Sequence, residues 1–280
     1  MSICEVSAES AGPRKWVATE VPLERPKPEG GFLLVNTRQL VAAWQACSPR
    51  EFRVWLALHE LEATRAANQR TRRLSGLPSA AKSNYHAEEV LRLIGGGGVP
   101  LIRRSCKALE DRGLVTARRG NVAFPTEASL PEQLEEQLRG IPKRVPIPRR
   151  LLRWLCGCSA RSVMAAALGH VLRSMRYYSR EKLCRARGRC AASWAAELFE
   201  VSTKSIERGR SVLVREGCLI KLDGAGPLRG KAKSLETRYG WHFVLNMLWQ
   251  KPRAKSVPAN SKPPPARIRQ PPLKPGYAQT

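Results

Sequence analysis

Residues 33–65, "LLVNTRQLVAAWQACSPREFRVWLALHELEATR", can be laid over residues 144–176, "RVPIPRRLLRWLCGCSARSVMAAALGHVLRSMR", at a constant offset of 111. Cys47-Ser48 then meets Cys158-Ser159, Arg50 meets Arg161, Leu40 meets Leu151, His59 meets His170 and Leu61 meets Leu172. Each passage reads as a short extended piece, a helix, a Cys-Ser pair suited to an N-cap, and a longer amphipathic helix. A second passage repeats at an offset of 104: "IRRSCKALEDRGLV" from Ile102 and "IERGRSVLVREGCL" from Ile206. There Ile102, Ser105, Leu109, Gly113 and Val115 align with Ile206, Gly209, Leu213, Gly217 and Leu219. The offset falls from 111 to 104 because the first copy carries seven extra residues between its helices, around "RLSGLPSAAKSNY". A chain that repeats one order of elements is expected to build one architecture twice.

The second copy shows what that architecture is. "CAASWAAELFE" has apolar residues at 194, 195, 198 and 199, which makes a short helix with one buried face. "EVST" breaks it: Val201 can plug the core, and Ser202 or Thr203 can cap the next helix. In that helix Ile206, Gly209 and Leu213 form one inward stripe, and the bare Gly209 lets two helix backbones approach closely. Thr203 lies in the first turn, and Lys204, Ser205, Glu207, Arg208 and Ser211 are expected to face outward. Gly217 supplies the positive φ that a helix end often needs. "CLIKL" and "RYGWHFVL" then read as two strands around a basic loop that contains Lys231 and Lys233. Helix, turn, helix, strand, basic loop, strand is the winged helix-turn-helix plan.

The first copy follows the same plan. "HAEEVLRLI" is its short helix, "GGGGVP" a looser turn, and Pro100 suits the first helical position. Arg103, Arg104 and Lys107 are expected to project outward, and "LVTARRGNVAF" is a tight hairpin with Arg118 and Arg119 at its tip. Four successive glycines make this turn less tight than its counterpart. Arg104 and Arg208 occupy equivalent positions, two residues after the inward isoleucine. Arginine reads guanine O6 and N7 by a bidentate pair, so these two are the expected specificity residues. The alternative, helical hairpins packed only for structure with solvated basic residues, explains one such motif more easily than two.

The expected fold is therefore mainly α with small β wings (α+β), as two tandem winged helix-turn-helix domains with disordered termini. Residues 1–31 form a flexible lead-in, 32–128 the first domain, 129–143 a linker and 144–249 the second domain, each domain with its own core. Residues 250–280 form a Pro-rich tail with seven basic residues and no acid, too polar to build a core.

Charge identifies the partner class. Lys and Arg number 49 against 23 Asp and Glu, a formal charge of +26 and a pI near 10.7, which points to a polyanion. No apolar stretch approaches the roughly 18 residues of a spanning helix, and the N-terminus lacks a signal pattern, so no membrane role is expected. The eight cysteines contain no C-x-x-C pair. Cys184 and Cys190 flank "RARGR" as a possible zinc clip, but reduced, mostly buried thiols of a cytoplasmic protein are the expectation. His170 and Arg173 match the H-x-x-R of tyrosine recombinases, but Tyr177 and Tyr178 follow too closely, on what reads as the same helix. P-loop and two-metal acidic signatures are missing, so neither enzymatic activity nor a cofactor or metal is expected.

Two winged helices in tandem, carried by "STKSIERGRSVLVREGCL" and "PLIRRSCKALEDRGLV" in a highly basic chain, resemble the plasmid replication initiators of the tandem winged-helix class. The resemblance covers about 32–249, and the Pro-rich tail is not part of it. It implies a protein that binds double-stranded DNA repeats at an origin and helps load host replication proteins. It also implies a homodimer, with one winged helix given to dimerisation and the other to DNA. A winged-helix transcriptional regulator would use the same domains without recruiting replication proteins, and a non-specific architectural or RNA-binding protein would use charge alone.

Overall fold

The computed structural model describes residues 24–250, apart from 26, 75–86, 119–120, 126–127 and 223–241. Strands β1 (Glu24–Arg25) and β2 (Phe32–Asn36) lead into helices α1 (Thr37–Ala46) and α2 (Pro49–Leu74). Helices α3 (Ala87–Ile94) and α4 (Val99–Asp111) follow, then the hairpin β3 (Thr116–Arg118) and β4 (Asn121–Ala123). Helix α5 (Glu132–Gln137) leads to β5 (Arg144–Pro148), α6 (Arg149–Gly157) and α7 (Arg161–Ser174). The chain continues through β6 (Arg176–Tyr178), β7 (Leu183–Arg185), β8 (Arg187–Arg189), α8 (Ala192–Leu198), α9 (Thr203–Arg215), β9 (Leu219–Lys221) and β10 (His242–Leu245). Among the described residues this is an α+β fold of nine helices with small antiparallel sheets. The sheet orders are β1-β7-β6, β8-β10-β9, β2-β5 and β3-β4.

The helix starts follow from their caps. Asn36 accepts from the backbone N–H groups of Arg38 (3.0 Å) and Gln39 (3.3 Å) and so opens α1. Ser48 and Glu51 form a reciprocal capping box at α2: Ser48 Oγ accepts from Glu51 N–H (3.3 Å), and Glu51 Oε2 accepts from Ser48 N–H (2.8 Å). The expected counterpart at Ser159 does not form. Helix α7 starts at Arg161, its N-cap is Ala160, and that cap makes no side-chain hydrogen bond.

The two halves do not have separate cores. Strands β2 and β5, one from each half, pair through Leu33–Ile147, Leu34–Pro146 and Val35–Val145. Trp44 of α1 donates from Nε1 to the Phe199 carbonyl (2.8 Å) and meets the Phe199 and Phe52 rings edge-on. Buried side chains from both halves therefore form one hydrophobic cluster. Glu60 of α2, only 1% exposed, accepts from Arg149 Nη2 (2.6 Å) and Arg153 Nε (2.7 Å) of α6. Two charge-assisted partners offset the desolvation of that buried carboxylate. The segment before β5 is tied in as well, because Thr37 Oγ1 donates to the Pro142 carbonyl (2.6 Å).

Two further expectations need correction. The lead-in is structured from Glu24, because β1 pairs with β7 and Glu24 forms an ion pair with Arg185 at 2.5 Å. Tyr177 and Tyr178 do not continue α7, which ends at Ser174. They lie in β6, where Tyr177 packs its ring against Phe32 (4.9 Å).

Candidate nucleic-acid interface

Helices α4 and α9 each have 13 residues and begin 104 positions apart. Both end in the same six-residue closure. In α9, Cys218 N–H donates to the Leu213 carbonyl and Gly217 N–H to the Val214 carbonyl, both at 2.9 Å, with Gly217 at φ +71°. In α4, Leu114 N–H donates to Leu109 and Gly113 N–H to Glu110, both at 2.9 Å, with Gly113 at φ +67°. This is the Schellman arrangement, in which the left-handed residue is almost always glycine.

The starts differ. Ser202 Oγ accepts from Ser205 N–H (3.1 Å) and so caps α9. The N-cap of α4 is Gly98, which has no side chain to offer, and Gly95 (φ +73°) and Gly97 (φ +97°) take the chain round the turn before it. Pro100 lies at the second helical position of α4, one later than expected, where its missing N–H still costs no helical hydrogen bond.

The buried stripes correspond position by position. Ile102, Ser105 and Leu109 are buried in α4, and Ile206, Gly209 and Leu213 in α9. Gly209 is the contact point with α7: a Cβ there would lie 2.3 Å from the Ser162 carbonyl oxygen. Nothing larger than glycine fits this crossing, and the close approach sets how far α9 stands out from α7.

With those stripes inward, the opposite faces carry the expected candidates. Arg103, Arg104 and Lys107 are exposed on α4, and Thr203, Lys204, Glu207, Arg208 and Ser211 on α9. None of these lysines and arginines forms an ion pair among the described residues. Ser205 is the exception to the outward reading. It is half-buried, and its hydroxyl lies 2.9 Å from Ser202 Oγ within the cap. Arg103 and Lys107 line a cleft of about 480 Å³ together with Glu88, Glu110 and Asp111, so acids temper that end of α4.

The β3–β4 hairpin closes at the Arg118–Asn121 pair. Arg119, Lys231 and Lys233 lie outside the described residues, as does the side chain of Arg118.

Sequence reasoning missed Arg210. It is 6% exposed, and its Nε–H donates to His170 Nε2 (3.0 Å) while Nη2 donates to the Cys190 carbonyl (2.6 Å). The signal was available, because 206, 209, 210 and 213 make the full i, i+3, i+4, i+7 stripe. An arginine in that stripe must be buried and satisfied. His170 is fully buried, and burial first, then Arg210, hold it neutral with its pKa well below the ordinary range.

Comparison with protein-family models, with curated proteins and with solved structures finds no match.

The described residues contain no group of three or more metal-ligating side chains and no helix long and apolar enough to cross a membrane. Cys184 and Cys190 are buried free thiols, and burial pushes Cys184 up to about 11. Burial of this kind leaves little thiolate at neutral pH.

Proposed function

We propose that this chain binds double-stranded DNA sequence-specifically through two winged helix-turn-helix units, with α4 and α9 as recognition helices. One observation carries the reading: each helix buries an equivalent stripe and turns lysines and arginines outward that form no ion pair among the described residues. In the second half the order α7, β8, α8, α9, β9, β10, interrupted only by β6 and β7 after α7, and the β8-β10-β9 sheet support a winged plan. In that arrangement the third helix of the unit enters the major groove and the strand pair approaches the backbone. Arg208, exposed and without an ion pair among the described residues, has the fork geometry to read a guanine edge, with Arg104 as its counterpart in the first unit.

As a biological role we propose plasmid replication initiation at origin repeats, with host replication proteins and a second copy of the chain as partners. This rests on the resemblance of the repeated plan, and the +26 charge suits it. Footprinting on DNA flanking the gene tests it. Regularly phased protection over short direct repeats supports an initiator. A single protected operator beside a promoter replaces that role with transcriptional regulation.

A further inference from the structure

Strands β8 and β10 run antiparallel, and their register sets Arg189 opposite His242 and Arg187 opposite Val244. Arg187 Nε–H donates to His242 Nε2 at 2.8 Å, which requires that nitrogen to be unprotonated. Between the two arginines, Gly188 presses on α7, and a Cβ there would lie 2.7 Å from the Arg173 carbonyl oxygen and from Ser174 Cα. The inner face of β8 is thereby pinned. Strand alternation brings both arginine side chains out on the other face, where they are exposed.

Elsewhere the chain neutralises arginines when an acid is in reach. Arg185 has Glu24, Arg112 has Glu51, Arg38 has Glu135, and Arg149 and Arg153 share Glu60. Arg187 and Arg189 have no acidic partner among the described residues. Strands β8, β9 and β10 contain no acid, and Lys221, the β9 partner of Phe243, lies on the opposite sheet face from the two arginines. Two guanidinium groups two residues apart on one strand face repel one another. The His242 side shows the same field: burial first, then Arg187 and Arg189, lower its pKa.

We propose that Arg187, Arg189 and His242 form a phosphate-binding site at the root of the strand pair that follows α9. Two guanidinium forks hold the phosphate oxygens, as arginine does for planar bidentate recognition. The bound anion offsets the charge around His242; a proton taken up at Nε2 displaces the Arg187 Nε–H bond, and the freed guanidinium and the imidazolium then both donate to the anion. Binding therefore tightens as pH falls toward the ordinary histidine range. The site deepens the DNA-binding reading, in which the ligand is a backbone phosphate. A free phosphate group has the same chemistry, and the experiment separates the two sources.

The full-length chain and a double variant, Arg187→Gln with Arg189→Gln, are compared for duplex affinity across a range of salt concentrations. The His242 ring is followed by NMR as duplex, or inorganic phosphate alone, is added. Removing both guanidinium groups is expected to weaken preferred and random duplex by the same factor. It should also make the log–log salt slope shallower by up to roughly 1.8, about 0.9 for each phosphate the pair neutralises. His242→Gln should flatten the pH dependence of binding while leaving the slope near pH 8 unchanged. A His242 shift with duplex alone assigns the site to the DNA backbone, and a shift with inorganic phosphate as well extends it to free phosphate groups. Wild-type affinity and slope in a double variant with an unchanged unfolding midpoint would overturn the proposal. Failure of the wild type to bind duplex would sink the DNA reading separately. The site would then stand only if inorganic phosphate shifts His242 in the wild type and not in the double variant.

Discussion

Arg210 Nε–H donates to His170 Nε2 at 3.0 Å, at the crossing of α9 over α7, while its Nη2 reaches the Cys190 carbonyl just ahead of α8. One buried guanidinium thus ties α9 to α7 and to the turn ahead of α8. Two residues earlier on the same helix, Arg208 is exposed and has no acidic partner among the described residues. Two arginines two residues apart on one helix thus differ in environment, one buried against α7 and the other exposed.

That difference is measurable. Arg210→Met removes the partner of a buried imidazole nitrogen and of a buried carbonyl, and should cost about 2–4 kcal/mol of stability. Arg208→Ala should stay within about 0.5 kcal/mol of wild type, as exposed substitutions usually do. Urea unfolding of both variants checks this, and equal midpoints would remove the anchoring role of Arg210.

Gly209→Ala places a Cβ where the Ser162 carbonyl lies 2.3 Å away, against backbone that cannot swing aside. The helices must separate, at a cost of about 1–3 kcal/mol. The equivalent position in α4 is Ser105, whose hydroxyl donates to the Leu101 carbonyl (3.0 Å), so Ser105→Ala should cost much less. Denaturation of the pair tests whether the close approach belongs to the second unit.

How much of this was legible in the sequence depended on range. The Ile-Gly-Leu stripe of α9, its Ser202 cap and the Gly217 terminus are local patterns, and they read correctly within a few residues. Gly209 could even be given its reason, because a glycine in an inward stripe has few other uses. The pairing of β2 with β5 could not be read, since the two strands lie far apart along the chain and neither announces a partner. The single shared core follows from that pairing, as does the Glu60 cluster between α2 and α6. Arg187 and Arg189 were read only as part of the stretch flanked by two cysteines, because the Arg187–His242 bond and the Arg189–His242 pairing join positions more than fifty residues apart.

Acid should weaken the fold through its buried histidines. His59 stacks on Phe124 (3.4 Å) and is pushed down to about 3 by burial, and His170 is lowered by burial and by Arg210. Both bind protons more readily when unfolded, so stability is intact above the ordinary value of 6.5 and falls as pH drops from there toward the folded values. His59 alone should account for about 2 kcal/mol near pH 5. His59→Phe should reduce this slope in unfolding measurements between pH 7 and pH 5, and an unchanged slope would contradict the assignment.

The tail from residue 251 has seven lysines and arginines and no acid, so it should track phosphates without reading bases. Deleting 251–280 is expected to weaken preferred and random duplex alike and to flatten the salt dependence by roughly 0.9 for each phosphate the tail neutralises. The preferred sequence should not change. A deletion that leaves the salt slope intact but abolishes replication or regulation in the cell would make the tail a protein-docking segment.

Base-specific reading by α9 is the central claim, and the most direct test selects the preferred duplex from a random pool, then measures its affinity for wild type and Arg208→Ala against single-base variants. The expected result is a loss of about 1–3 kcal/mol on the preferred site, with discrimination relaxed at one base position and nearly unchanged affinity for random duplex. Arg104→Ala should do the same, more weakly, at a separate position. If both variants bind preferred and random duplex as the wild type does, α4 and α9 are not recognition helices.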